Sequence, residues 1–83
     1  MKIKDITEED KVYVSVWLYY TPEGDVRIES VEWSDGREFR VDDQQGPRRT
    51  GDRHIREIYR VRIRGEWKLL FYQDPEFFVL KKK

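Results

Sequence analysis

The feature that most restricts what this chain can fold into is a two-residue rhythm. Between Lys11 and Tyr20, Val12, Val14, Val16 and Leu18 alternate with Tyr13, Ser15, Trp17 and Tyr19. A helix would scatter those aliphatic residues around its circumference, whereas an extended strand collects them on one face. The rhythm returns beyond His54, where Tyr59, Val61 and Ile63 alternate with Arg56, Arg60, Arg62 and Arg64, and Ile58 is the exception on the basic side. A chain of 83 residues has room for a single core. These ribbons must therefore share one interior.

The segments between them read as turns. Thr21-Pro22-Glu23-Gly24-Asp25 combines a residue that presets φ with one that tolerates positive φ. In the strand that follows, Val26 and Ile28 have one parity while Val31 and Trp33 have the other, which predicts a β-bulge near Glu29-Ser30. A three-residue Ser34-Asp35-Gly36 loop sets Val31 opposite Phe39 and keeps the apolar face intact. Asp42 to Arg53 contains two glycines, one proline and no apolar residue, and reads as one long loop. At Gly65 two cues conflict. A two-residue turn would place the arginines beside Trp67, Leu69 and Phe71, whereas a three-residue Arg64-Gly65-Glu66 loop pairs Val61 with Leu69 and Tyr59 with Phe71. The hydrophobic pattern favours the second, because a one-residue slip turns a whole face outward. Asp74-Pro75-Glu76 leads into a last short strand from Phe77 to Leu80. The expected fold is all-β, a small SH3-like or partly open barrel built as an antiparallel meander of five to six strands. Residues 1–10 form a flexible arm or a short edge strand, and residues 11–83 a single small β-barrel domain.

Composition narrows the function. There is no cysteine, so the chain can form no disulfide, zinc ribbon or thiol nucleophile, which suits a reducing compartment. No apolar run approaches the ~20 residues of a membrane span. The expected location is cytoplasmic, with no membrane partner. The one histidine, His54, adjoins a charged loop and is expected at the surface. Ser15, Ser30 and Ser34 lack the setting of a nucleophile elbow. Asp35, Asp42, Asp43 and Asp52 match neither an EF-hand loop nor a His-bearing metal site. The five glycines are isolated turn residues and form no phosphate loop. The residues thus predict a binding module with no catalytic residue, no metal and no cofactor.

Formal charge is zero overall yet uneven along the chain. Residues 1–43 carry six Lys/Arg against twelve Asp/Glu, and residues 44–83 eleven against five, so the halves stand at −6 and +6. Arg56, Arg60, Arg62 and Arg64 project from one side of one strand, with Arg48, Arg49 and Arg53 in the loop before it and Tyr72 as an aromatic flank. Residues two apart on a strand are separated by about 6.6 Å, close to the spacing of phosphates along an extended single strand. This row is a candidate contact for nucleic acid or an acidic protein. The alternative is a solvated face whose arginines pair with Glu29, Glu32, Glu38 or Glu57 on neighbouring strands. Trp33 and Trp67 are expected to pack at hairpin ends. Tyr13, Trp17 and Tyr19, on the polar side of the first strand, are candidates for a protein-interaction surface or a homodimer.

The run from Val31 to Asp42, the segment Tyr59 to Gly65, then Leu70-Phe71-Tyr72 and a closing Phe78-Val79, resembles a family of small uncharacterised proteins of Firmicutes-type bacteria. Its pattern is W-x-D-G-R-x-[FY]-x-[IV]-D, a variable loop, Y-x-V-R-[IV]-x-G, L-F-[YF] and W-F-V. The resemblance spans the chain from Val12 onward, with Phe77 where the pattern has Trp. It implies an SH3-like all-β fold. The family has no established activity, and the matched residues are hairpin and core signals, so no site residue carries over.

Overall fold

A computed structural model describes residues 3–81, and Met1, Lys2, Lys82 and Lys83, the outer ends of the expected arm and tail, lie outside the described residues. Seven strands form one antiparallel sheet: β1 (Lys11–Tyr20), β2 (Val26–Glu32), β3 (Glu38–Arg40), β4 (Asp43–Arg49), β5 (Glu57–Ile63), β6 (Glu66–Gln73) and β7 (Glu76–Leu80). Their order is β3-β2-β1-β7-β6-β5-β4, two meanders joined where β1 meets β7. The long β1 serves both, pairing its first four residues with β7 and Ser15 to Tyr20 with β2. No helix among the described residues is long and apolar enough to cross a membrane.

The two end strands, β3 and β4, are consecutive in the chain, and this curls the sheet into an open barrel. The backbone N–H of Val41 donates to Glu29 O on β2, and that of Asp42 donates to Arg62 O on β5. Two adjacent residues thus step from one margin of the sheet to the other. Below this corner Gln44 extends the closure with its side chain. Its Oε1 accepts from the Ile28 N–H at 2.7 Å and its Nε2 donates to Val26 O at 3.0 Å. The side-chain amide stands in for a peptide unit on the part of the β2 edge that β3 is too short to cover.

The bulge falls where parity places it, since the β1–β2 register passes from Trp17 opposite Ser30 to Leu18 opposite Ile28 and leaves Glu29 as the extra residue. Ile28 and Val31 on either side of it both reach the core. The Ser34-Asp35-Gly36 loop also has the expected register, with Val31 opposite Phe39. The segment expected as a long loop is different. Residues 43–49 form β4, bulged between Gln45 and Arg48, where Gly46 has φ +90°. Its side chains are almost all exposed. A strand whose ladder is satisfied by β5 but whose faces meet water carries no hydrophobic alternation to betray it.

Both sheet faces are apolar in part. The inner face holds the main core around Ile28, Val31, Tyr59, Val61, Ile63, Leu70 and Val79. On the outer face Phe71 and Phe78, stacked 5.0 Å apart, pack with Ile55 and are capped by Ile3 and Ile6. Residues 3–10 are therefore neither strand nor ladder but two 3₁₀ turns, Ile3–Asp5 and Glu8–Asp10, laid over the sheet. Their two isoleucines have no period-2 pattern, and they bury apolar area by crossing the strands.

Candidate nucleic-acid interface

The register of the β5–β6 hairpin decides which residues share the arginine face. Ile63 pairs with Glu66 across a two-residue Arg64-Gly65 turn, with φ of +54° and +80° at the two positions. Positive φ at both central residues is the type I′ geometry whose twist matches a two-stranded ribbon. Turn chemistry prevails over the three-residue loop that the hydrophobic pattern favours. The consequence is a one-residue shift: Arg60 lies opposite Leu69, Arg62 opposite Trp67 and Ile58 opposite Phe71. Leu70, not Leu69, is the fully buried leucine of β6. The apparent cost to Leu69 and Trp67 is offset because Leu70 and Tyr72 supply the inner face in their place.

Cross-strand partners share a face, so the outer surface can be read in rows. One row runs Arg48, Ile58, Phe71, Phe78, Tyr13 across five strands. It is the row that Ile3, Ile6 and Ile55 cover. The next is Gln45, Arg60, Leu69, and the next Asp43, Arg62, Trp67. These two rows are open, with Trp67 37% and Leu69 46% exposed. The guanidinium carbons of Arg60 and Arg62 stand 5.4 and 5.8 Å from the Trp67 ring centroid, within cation–π range. Arg48, Arg60, Arg62 and Trp67 form one cationic, aromatic surface.

The arginines are not neutralised by the acidic half of the chain. Among the described residues the ion pairs are Lys11–Glu8, Arg37–Asp35, Arg56–Asp74 and Lys68–Glu66, each within one half. No carboxylate oxygen lies within 4 Å of Arg48, Arg60 or Arg62 among them. Glu38 instead accepts the Ser30 hydroxyl at 2.9 Å. In the sheet order β2 and β3, which carry Glu29, Glu32 and Glu38, lie on the far side of β1 and β7 from β5 and β6.

The remaining sequence candidates are dispersed. Arg49 lies opposite Glu57, on the other side of β4 from Arg48. Arg56 reaches Asp74, its Nη1 3.7 Å from the carboxylate. Arg53 is exposed in the bend before β5. In that bend Asp52 accepts the N–H groups of His54 and Ile55 and is held below the usual carboxylate range by them, while Thr50 Oγ1 donates to Ile55 O. His54 itself is exposed. Arg64 sits in the turn, its guanidinium 5.2 Å from the Phe39 ring, at the barrel mouth. Tyr72 does not flank the arginines: it lies on the inner side, 4.8 Å from Phe77, with its hydroxyl donating to Asp74. The register shift that brings Trp67 to the basic face takes Tyr72 away from it. Trp67, expected from the sequence to pack at a hairpin end, joins the candidate face instead, and the signal for it was the Arg-Gly turn.

Of the strand-one aromatics, Tyr13 is withdrawn. Its ring meets Phe78 edge-on at 6.0 Å, and its hydroxyl donates to Glu8 at 2.9 Å. The N-terminal turns, which pattern reading did not place, explain the difference. Trp17 and Tyr19 stay open at 46% and 51%, beside Tyr20. Trp33 packs edge-on against Phe39 at 5.3 Å, as expected for a hairpin-end ring.

No protein-family model, no curated protein and no solved structure matches this chain.

Proposed function

We propose that this protein is a non-enzymatic binding module that contacts single-stranded nucleic acid through Arg48, Arg60, Arg62 and Trp67. The observation that carries the reading is a part-exposed indole approached by two guanidinium groups of β5, on a face where no carboxylate lies within ion-pair distance of them among the described residues. Bases stack on such a ring whatever their sequence, and the arginines take the phosphates. Three phosphate contacts give a slope of about −2 for log affinity against log salt, so affinity falls roughly twentyfold between 50 and 200 mM. The test is anisotropy of a labelled single-stranded oligonucleotide. Arg60→Glu should abolish binding, Trp67→Ala should weaken it by about 1–3 kcal/mol, and Arg53→Glu should act weakly. Absence of binding to DNA and RNA at low salt removes the proposal.

A second reading is favoured by the contiguous exposure of Trp17, Leu18, Tyr19 and Tyr20 at the end of the β1–β2 hairpin. Such a run suits self-association through this tip. Light scattering distinguishes it: a dimer that Trp17→Ala dissolves supports the reading, and a monomer at high concentration rejects it.

A further inference from the structure

The barrel is not filled at its mouth. Val12, Trp33 and Phe39 on the inner face are only partly buried although they pack against the main core. The pairing of β6 with β7 ends at Phe71 opposite Phe78, and beyond it Leu69, Val79 and Leu80 line an opening that Phe39 of β3 and Arg64 of the β5–β6 turn also border. A cleft of about 840 Å³ opens there. That volume falls within the ~300–1,000 Å³ of small-molecule sites.

The cleft is amphipathic along its depth. Val12, Phe39, Ile63 and Val79 line it from within their strands. Of the four cations of its lining, three stand at strand ends, Arg37 just before β3, Arg64 between β5 and β6 and Lys81 just after β7, while Lys68 lies within β6. Glu66, the one carboxylate of the lining, is 3.6 Å from Lys68, and Arg37 is held by Asp35 outside the cleft at 2.6 Å. Arg64 and Lys81 have no carboxylate within 4 Å among the described residues. A chain of zero net charge thus presents an apolar hollow under uncompensated positive charge. Arg64 also holds a left-handed φ of +54° where glycine or asparagine is less strained. Strain retained at a cleft mouth is a mark of use.

We propose that this cleft binds a single-chain anionic amphiphile, a fatty-acid carboxylate, with its alkyl chain on Val12, Phe39, Ile63 and Val79 and its carboxylate between Arg64 and Lys81. The aliphatic and aromatic walls offer side-chain contact to an unbranched apolar body, and the polar groups of the lining suit one anionic end. Arg60, Arg62 and Trp67 are not in the cleft's lining, although Leu69, the cross-strand neighbour of Arg60, is, so oligonucleotide binding is measured beside decanoate binding.

Decanoate titrated below its micelle concentration, followed by calorimetry and tryptophan fluorescence, should bind saturably at one per chain. Decyltrimethylammonium, with the same tail and the opposite head, and butyrate, with the same head and no tail, should each bind at least tenfold more weakly. Arg64→Asn relieves the turn, so the fold is retained; it should weaken decanoate about tenfold and leave oligonucleotide binding unchanged. Val12→Phe, placed to fill the cleft, should block decanoate with the thermal midpoint preserved. No saturable binding, equal binding of the cationic amphiphile, decanoate affinity unaltered by Arg64→Asn, or capture of an acidic peptide in place of decanoate overturns the proposal.

Discussion

Gln44→Ala is the most searching perturbation of this fold, because one side chain completes the seam that neither β3 nor β4 closes with its backbone. The substitution removes the acceptor of the Ile28 N–H and the donor to Val26 O. Ile28 is 4% exposed, so water does not readily replace the lost partner. A buried N–H left unmade costs about 1–3 kcal/mol. The Val26 carbonyl, on a half-buried residue, regains solvent and adds less. Freed rotamers of Gln44 return up to about 2 kcal/mol at most, less for a side chain only half-buried. The expected net loss is about 2 kcal/mol, a fall of roughly 8–16 °C in Tm for a domain of this size. Urea and thermal unfolding followed by circular dichroism read it directly. Gln45→Ala is the control, since that side chain is exposed and makes no side-chain hydrogen bond, and it should stay within about 0.5 kcal/mol of the parent. Gln44→Glu sharpens the test: it keeps an acceptor for Ile28 but turns an oxygen toward Val26 O, so its folded-state pKa is raised. Its deficit should be largest at neutral pH and shrink on acidification through that pKa, as the protonated carboxyl becomes a donor. Equal stability of Gln44→Ala and Gln45→Ala would refute the idea that the amide closes the barrel.

Two further outcomes follow from the same structure. Gly46→Ala should destabilise by about 1–3 kcal/mol, because φ there is +90° and a Cβ would stand 3.1 Å from Arg48 N and 3.2 Å from Ile58 O; denaturant midpoints check this, and an unchanged midpoint rejects a rigid bulge. Burial, followed by the charge of Glu57, pushes the Tyr59 phenol up from 10 to about 12. A raised folded-state pKa means that its contribution is complete below pH 10 and is lost as pH climbs through 12. Tyr59→Phe should flatten alkaline unfolding across that window, and an unaltered profile assigns the loss to other groups.

The alternation of Val12 to Leu18 and of Tyr59 to Ile63, the parity switch around Glu29 and the Ser-Asp-Gly turn are local signals. Each depends on one strand or on the two strands a turn connects, so extended structure, the bulge and the β2–β3 register were legible without coordinates. The arginine row was legible for the same reason, as a periodicity within β5. What could not be read were relations between segments distant in the chain. The β4 strand has no apolar side because it lies at the sheet margin, and Gln44 looks like any loop glutamine until Ile28 and Val26 are placed beside it. Ile3 and Ile6 find Phe78 only after β1 and β7 have paired. At the Arg64-Gly65 turn two local cues disagreed, and the choice between them fell to the assembled core: Leu70 and Tyr72 fill the interior in place of Leu69 and Phe71, so the two-residue turn whose twist matches the strands prevails. That choice is also what sets Trp67 among the arginines. Periodicity reports which side of a ribbon a residue occupies. Which ribbon faces it across the sheet depends on the packing of the whole chain, because contact energies are summed over partners that the linear order keeps apart.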